Sequence, residues 1–305
     1  MRGVRARLGI NAGFAINRFP EPHVWLRIVG EELGLRYAQF VADLLNPFLP
    51  EDLVEAQAEH ICDNAERYDV AIDTTFTSAY TRVNHLMHPD AATRKVWSEW
   101  FERWLRLAVR LGARAAGSHF GTLSVADFSD PDRRRERIEG TVQSWRRLAE
   151  YGAELGLEFL LFEPMSIPRE MAATIDDTKA LLEMLGDDTA IPILLNLDVD
   201  HGDVSSDDPR DTDPYAWLLE LGRLSPVVHL KQSTADKHGH WPFTPEYNAI
   251  GEVQPEKVLD ALERSGVADV MLLLELSHRE REPAESRVLS DLKASVEYWR
   301  PYVPD

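Results

Sequence analysis

Short apolar, β-rich runs recur along the whole chain, and amphipathic segments of helical period separate them. Eight runs read as strands: Arg5–Gly13, Tyr37–Asp43, Ala71–Thr77, Ala115–Gly121, Glu158–Glu163, Ile193–Asp198, Val227–Gln232 and Val270–Leu276. Several, such as EFLLFE and VMLLLEL, are almost unbroken apolar stretches. That pattern suits parallel strands covered on both faces. Between them, Pro50–Tyr68, Asp90–Leu111, Asp132–Leu155, Asp176–Leu185, Asp213–Arg223, Gln254–Ser265 and Pro283–Trp299 carry apolar residues at helical spacing. Gly112, Gly156, Gly186 and Gly266 each stand where a helix should stop before the next strand. The alternation predicts an α/β chain folded as a single (β/α)8 TIM barrel spanning residues 1–305. An open doubly wound sheet would need a phosphate-binding glycine loop after the first strand, and INAGFAIN is not one.

Charge narrows the function classes. The chain has 33 Lys and Arg against 52 Asp and Glu, a formal net charge of −19. A general nucleic-acid binder needs a basic face, and anionic membranes would repel this protein. Cys62 is the single cysteine, so neither an intramolecular disulfide nor a cysteine metal cluster can form. No stretch approaches the roughly 18 apolar residues of a membrane span. The N-terminal apolar stretch is interrupted by Asn11 and Asn17 and reads as a strand rather than a signal peptide. These features together lead us to expect a cytoplasmic protein with neither nucleic acid nor membrane as partner. RRRER (133–137) reads as an exposed helix face, and Asp207, Asp208, Asp211 and Asp213 as a solvated loop. The tryptophans Trp97, Trp100, Trp104 and Trp145 read as helix packing or a subunit contact. The longest irregular stretches, Asp200–Pro214 and Ser233–Glu252, follow strands and so belong to the catalytic rim.

In a barrel, chemistry is built at the carboxyl ends of the strands. Glu163 ends the fifth strand and Asp198 the sixth, while His229 lies within the seventh and Glu275 within the eighth. Burying one such group unpaired costs several kcal/mol. Each could pair separately with a nearby cation or backbone group. Four on consecutive strands point instead to a shared neutralising ion. Three carboxylates and one imidazole suit Mn2+, Mg2+, Co2+ or Fe2+.

The series Glu163, LDVDH (197–201), VVHLKQ (227–232) and LLLELS (272–277) resembles the xylose isomerase-like superfamily of metal-dependent barrels. It is similar to the branch of ketose 3-epimerases and related sugar isomerases. EPMSIPRE (163–170) and HWPFTPEYNAIG (240–251) resemble erythrulose-phosphate epimerases, and also the catalytic subunits of C-glycoside deglycosidases. The resemblance implies that Glu163, Asp198, His229 and Glu275 bind one divalent metal, often Mn2+. It further implies that Glu163 and Glu275 face opposite sides of a sugar, one removing the proton beside a ketose carbonyl and the other returning it, through a metal-stabilised enediolate. A small ketose or tetrulose phosphate is the implied substrate, and a homo-oligomer the implied assembly. A deglycosidase would instead eliminate an aglycone from a 3-oxo-glycoside and would need a small accessory subunit. Many epimerases carry a second histidine two residues after the metal-binding one. Here that place is Lys231, which could hold a phosphate or polarise an oxygen.

Further candidates lie on the same rim. His119 in GSHFG is a candidate acid or base, against the alternative of a buried, backbone-bonded histidine. His201, Arg169, Lys231, His240, Trp241 and Arg279 are the candidate substrate binders. Arg169 could clamp an anion in bidentate fashion or simply pair with a local acid. Lys237, His238 and Arg281 add to a cationic rim that favours an anionic sugar, or are solvated loop residues. Phe14, Phe76, Trp241 and Phe243 could form an apolar wall, although core packing is an equal reading for the first two.

Overall fold

The structure, a computed structural model, describes residues 3–78, 81–234, 237–278 and 285–304, without the side chains of Lys237 and His238. Eight parallel strands close into a barrel: β1 (Arg5–Asn11), β2 (Tyr37–Val41), β3 (Ala71–Phe76), β4 (Ala115–His119), β5 (Phe159–Glu163), β6 (Ile193–Asp198), β7 (Val227–Leu230) and β10 (Asp269–Leu274). β10 pairs with both β7 and β1, which completes the ring. The open doubly wound sheet is thereby excluded.

Period-two geometry explains why the apolar strands end in polar residues on one face. Ala115, Phe159, Leu161, Val227, Met271 and Leu273 pack together inside the barrel. Two residues further along their strands come Glu163, His229 and Glu275, so these inherit the inward direction. A much larger apolar cluster joins the outer strand faces to the helices. Gly117 makes room within the barrel. A Cβ there would stand 2.5 Å from the Phe76 ring and 2.9 Å from Leu161 Cβ.

The helices follow the expected stops and starts. Asp90 caps the helix Ala91–Arg110 by accepting from Thr93 N–H, and Asp130 caps the helix Pro131–Leu155 by accepting from Asp132 and Arg133 N–H. Gly156 (φ 89°) ends the second of these in the left-handed region that glycine adopts most readily. The helix after β1 escapes the sequence reading. It is Pro22–Arg27, which runs into a π turn at Ile28–Glu32. Six residues are too few to show a helical period. Ser233–Glu252 is also more ordered than expected, with an antiparallel hairpin of β8 (Gln232–Thr234) and β9 (Lys237–Trp241) after β7. Nor is the Asp207–Asp213 segment simply solvated. Asp211 is buried and accepts from Ile175 N–H and the Ser206 hydroxyl, while Asp208 and Asp213 cap short helices. The tryptophans of Ala91–Arg110 are packing residues. Trp100 and Trp104 stack on each other at 5.8 Å, and Phe40 stacks on Trp104. Among the described residues, no helix is long and apolar enough to cross a membrane.

His85 offers a stability test away from the barrel mouth. It is fully buried against Trp97 and Phe101, and its Nδ1 accepts from Leu86 N–H. Burial pushes its pKa down to about 3. The unfolded chain takes up this proton below about pH 6.5, whereas the folded chain resists it until about pH 3. Stability is therefore lost as pH falls through that window, by about 2 kcal/mol at pH 5. His85→Asn keeps an acceptor for Leu86 N–H. Its denaturant midpoint should change less between pH 7 and pH 5 than that of the parent protein.

Candidate metal centre and active site

Parallel register brings the strand ends together. His119 pairs with Glu163, and Asp198 with His229, while Leu273 beside His229 places Glu275 at the same height. Glu275 lies one residue beyond β10 rather than within it. Glu163, Asp198, His229 and Glu275 each present a ligand atom within 4.8 Å of the others. His229 Nδ1 is the hub, 2.9 Å from Glu163 Oε1, 3.5 Å from Glu275 Oε2 and 4.0 Å from Asp198 Oδ2.

Lys231 is not on the rim. Its side chain is fully buried, with Nζ 2.5 Å from Asp198 Oδ2, 2.6 Å from Glu275 Oε2 and 2.9 Å from His240 Nδ1. A role as an outer phosphate clamp is therefore replaced by one inside the cluster. Burial would raise the Asp198 carboxyl, but His201, Lys231 and His229 hold it well below the usual carboxylate range. Burial likewise opposes ionisation of Glu275, yet Lys231 and His229 bring it down to about 2. Burial would lower Lys231, and the carboxylates of Asp198 and Glu275 raise it instead. The ionised carboxylates of Asp198 and Glu275 thus stand in one cluster and push the His229 imidazole up as well, a field that suits a bound cation. Asp198 Oδ2 is also buried without a hydrogen bond of acceptable geometry, despite the nearby ammonium. Both observations fit a metal held by the four ligands.

Burial keeps two of the surrounding histidines neutral. Burial, reinforced by His85 and Arg82, pushes His119 down to about 3, so its ring is neutral at physiological pH. Its Nε2 lies 3.8 Å from Glu163 Oε2. His201 Nδ1 lies 2.9 Å from Pro164 O and its Nε2 3.6 Å from Asp198 Oδ2, so it sits at the centre's edge. Burial and the Lys231 charge lower His240 to about 4. His240 also has a left-handed backbone (φ 48°), a strained state for a non-glycine residue and one that clusters at functional sites. Its N–H donates to Asp200 Oδ2 at 3.3 Å.

Glu163, Glu275, His119, His201 and His240 all line one pocket at the barrel mouth, walled by Phe14, Phe76, Met165 and Leu276. The other candidates lie elsewhere. Arg169 Nη1 donates to Leu123 O, Trp241 stacks on Tyr247 at 5.1 Å, and Phe243 is buried against Tyr298 and Trp299. Arg279 and Arg281 fall outside the described residues. The cations that do line the pocket, Arg18 and Arg82, were missed by the sequence reading. Arg18 is tied to Glu285 and to His278 O. Arg82 is held in bidentate fashion by the buried Glu170 (3.3 and 2.8 Å) with its guanidinium half-exposed. Gln39 and Asn11 were missed too. Each is a lone polar residue on an inward strand position, the same signal that marked Glu163.

Comparison with known proteins agrees with this architecture. Residues 29–300 match the family described as xylose isomerase-like TIM barrel. A curated relative, the D-erythrulose 1-phosphate 3-epimerase of Brucella abortus (strain 2308), is 37% identical over 297 residues, covering 97% of this chain and 96% of its own. A solved protein from Rhodospirillum rubrum ATCC 11170, provisionally described as a xylose isomerase, superposes with a TM-score of 0.86 at 26% identity, covering 98% of this chain and 100% of its own. An L-ribulose 3-epimerase shares the fold at a TM-score of 0.68 and 19% identity, covering 98% and 93%. The chain belongs to the xylose isomerase-like TIM barrel family.

Proposed function

We propose that this protein is a divalent-metal-dependent 3-epimerase of a small phosphorylated ketose. The observation that carries this reading is the placement of Glu163 and Glu275. They rise from strands separated by β6 and β7 and meet at His229, and each reaches that centre through a single oxygen. The second oxygen of each is then available as a base. A bound divalent ion, with Mn2+ the best match to three carboxylates and one imidazole, would supply electrophilic stabilisation of the charge that develops beside the carbonyl. One glutamate takes the proton from C3, and the other delivers a proton to the opposite face. Neutral His119 and the neighbouring His201 offer hydrogen bonds to substrate oxygens, and Phe14, Phe76, Met165 and Leu276 exclude water from the reacting carbon. Sequence identity of 37% to an erythrulose-phosphate epimerase supports this chemistry over aglycone elimination. Arg82, pre-oriented by buried Glu170, is the side chain we assign to the phosphate.

The test is deuterium incorporation at C3 of a tetrulose 1-phosphate in D2O, followed by NMR with Mn2+ present. Exchange should accompany epimerisation, stop with EDTA and return with added Mn2+. Arg82→Gln should raise KM for the phosphate about tenfold or more while leaving the unphosphorylated tetrulose unaffected. Exchange that persists in EDTA, or that never occurs, would refute the assignment.

A further inference from the structure

A file of buried polar groups leads from the backbone to the metal centre. Gly13 N–H donates to Asn11 Oδ1 at 2.8 Å, Asn11 Nδ2 donates to Gln39 Oε1 at 2.8 Å, and His229 Nε2 lies 2.7 Å from that same oxygen. Gln39 Nε2 donates to Thr74 Oγ1 at 3.1 Å and to Asn196 Oδ1 at 3.2 Å. Asn11, Gln39, Thr74, Asn196 and His229 are all buried.

The direction of such a network is normally a choice, because an amide can be turned over and an imidazole can carry its proton on either nitrogen. Here one member has no freedom. A backbone N–H can only donate, so Gly13 forces Asn11 Oδ1 to accept. Asn11 must then present Nδ2 to Gln39, and Gln39 must present Oε1. An amide oxygen cannot donate, so the hydrogen at the His229–Gln39 contact belongs to His229 Nε2.

We infer that Asn11 and Gln39 are positioning residues that keep a proton on His229 Nε2, so that Nδ1, which faces Glu163 Oε1 at 2.9 Å, is the nitrogen offered to the metal site. This rests on the metal-dependent reading above and extends it to two side chains that touch none of the four proposed ligands except His229. A ligating histidine commonly donates its other ring N–H to an oxygen acceptor, which fixes the tautomer and orients the ring. In this chain a single backbone amide of the turn after β1 sets the state, through two neutral amides rather than a carboxylate.

Asn11→Asp makes an unusual test because it is nearly isosteric and reverses the file. The substituted carboxylate still accepts from Gly13 N–H but shows Gln39 a second acceptor. Gln39 then turns over and gives Nε2–H groups to that carboxylate and to His229 Nε2. Its displaced oxygen finds donors in the Thr74 hydroxyl and in Asn196 Nδ2, which has no hydrogen-bond partner at present and can be reached by turning that amide. His229 is left with its proton on Nδ1, facing the carboxylates, and cannot ligate. Simple electrostatics predicts the opposite sign, since an added negative charge near the centre should tighten cation binding.

The experiment measures Mn2+ binding directly, by electron paramagnetic resonance of free Mn2+ at pH 8. Whether His229 Nε2 carries a proton is read from 15N NMR of metal-free protein at pH 9. Wild-type Nε2 should carry a proton, and Asn11→Asp should strip it, leave Nδ1 protonated and weaken Mn2+ binding by about 10–100-fold. Gln39→Met, which removes the acceptor without adding charge, should weaken it by about tenfold. An Nδ1–H tautomer in the wild type, or unchanged or tighter Mn2+ binding by Asn11→Asp, overturns the inference. A wild-type protein that binds Mn2+ but exchanges no C3 hydrogen would defeat the epimerase reading and leave the tautomer result standing.

Discussion

Glu163→Gln and Glu275→Gln should each lower kcat by about 10²–10⁴-fold even at saturating Mn2+, whereas Asp198→Asn should be largely rescued by excess metal. All three changes remove one charge from the same cluster and hardly alter its shape. They differ in what else the side chain does. Asp198 is fully buried at its carboxylate, with Oδ2 facing Lys231 and His201, so in the proposed reaction it would do no more than hold the cation. Glu275 keeps 27% of its side chain open toward the pocket, and Glu163 Oε2 turns toward His119. Each therefore has an oxygen from which a proton on bound substrate can be reached. Metal content by mass spectrometry and kcat as a function of Mn2+ separate the two roles. Recovery of either glutamine variant at high Mn2+ would remove that glutamate from proton transfer and leave it a ligand only.

The barrel was legible because its strands advertise themselves. FLLFE and DVMLLL are nearly continuous apolar runs buried on both faces. The four cluster residues were legible for the same reason, since an ionisable group that closes an apolar run stands out. Asn11 and Gln39 give a weaker form of that signal. A neutral amide carries no charge to be compensated, and only the register of β1 on β2 reveals that the two meet. The mouth arginines were hidden differently. Arg18 and Arg82 lie several residues beyond their strands, and which loop side chain turns inward depends on tertiary contacts such as Glu170 reaching across from the loop after β5. Lys231 was visible as a departure from the family pattern. Its burial was not, because a strand-end lysine ordinarily extends to solvent.

Lys231→Met should destabilise the metal-free protein by about 3–5 kcal/mol, and added Mn2+ should recover most of that loss. In the metal-free protein the ammonium is the nearest full positive charge to both Asp198 and Glu275, and its removal leaves these two carboxylates facing each other beside Glu163 without it. Methionine keeps the length and the apolar stem, so packing against the barrel interior is little changed. The metal-free melting temperature should fall by on the order of 5–10 °C for a chain of this size. A divalent cation then meets a more negative site in which no ammonium competes for Asp198 Oδ2 and Glu275 Oε2. It should therefore bind more tightly and raise the melting temperature more than in the parent protein. Differential scanning calorimetry with EDTA and with Mn2+ gives both numbers. Equal destabilisation under the two conditions would mean that Lys231 contributes through packing, and that its charge is no part of the balance that makes this centre a site for a doubly charged ion.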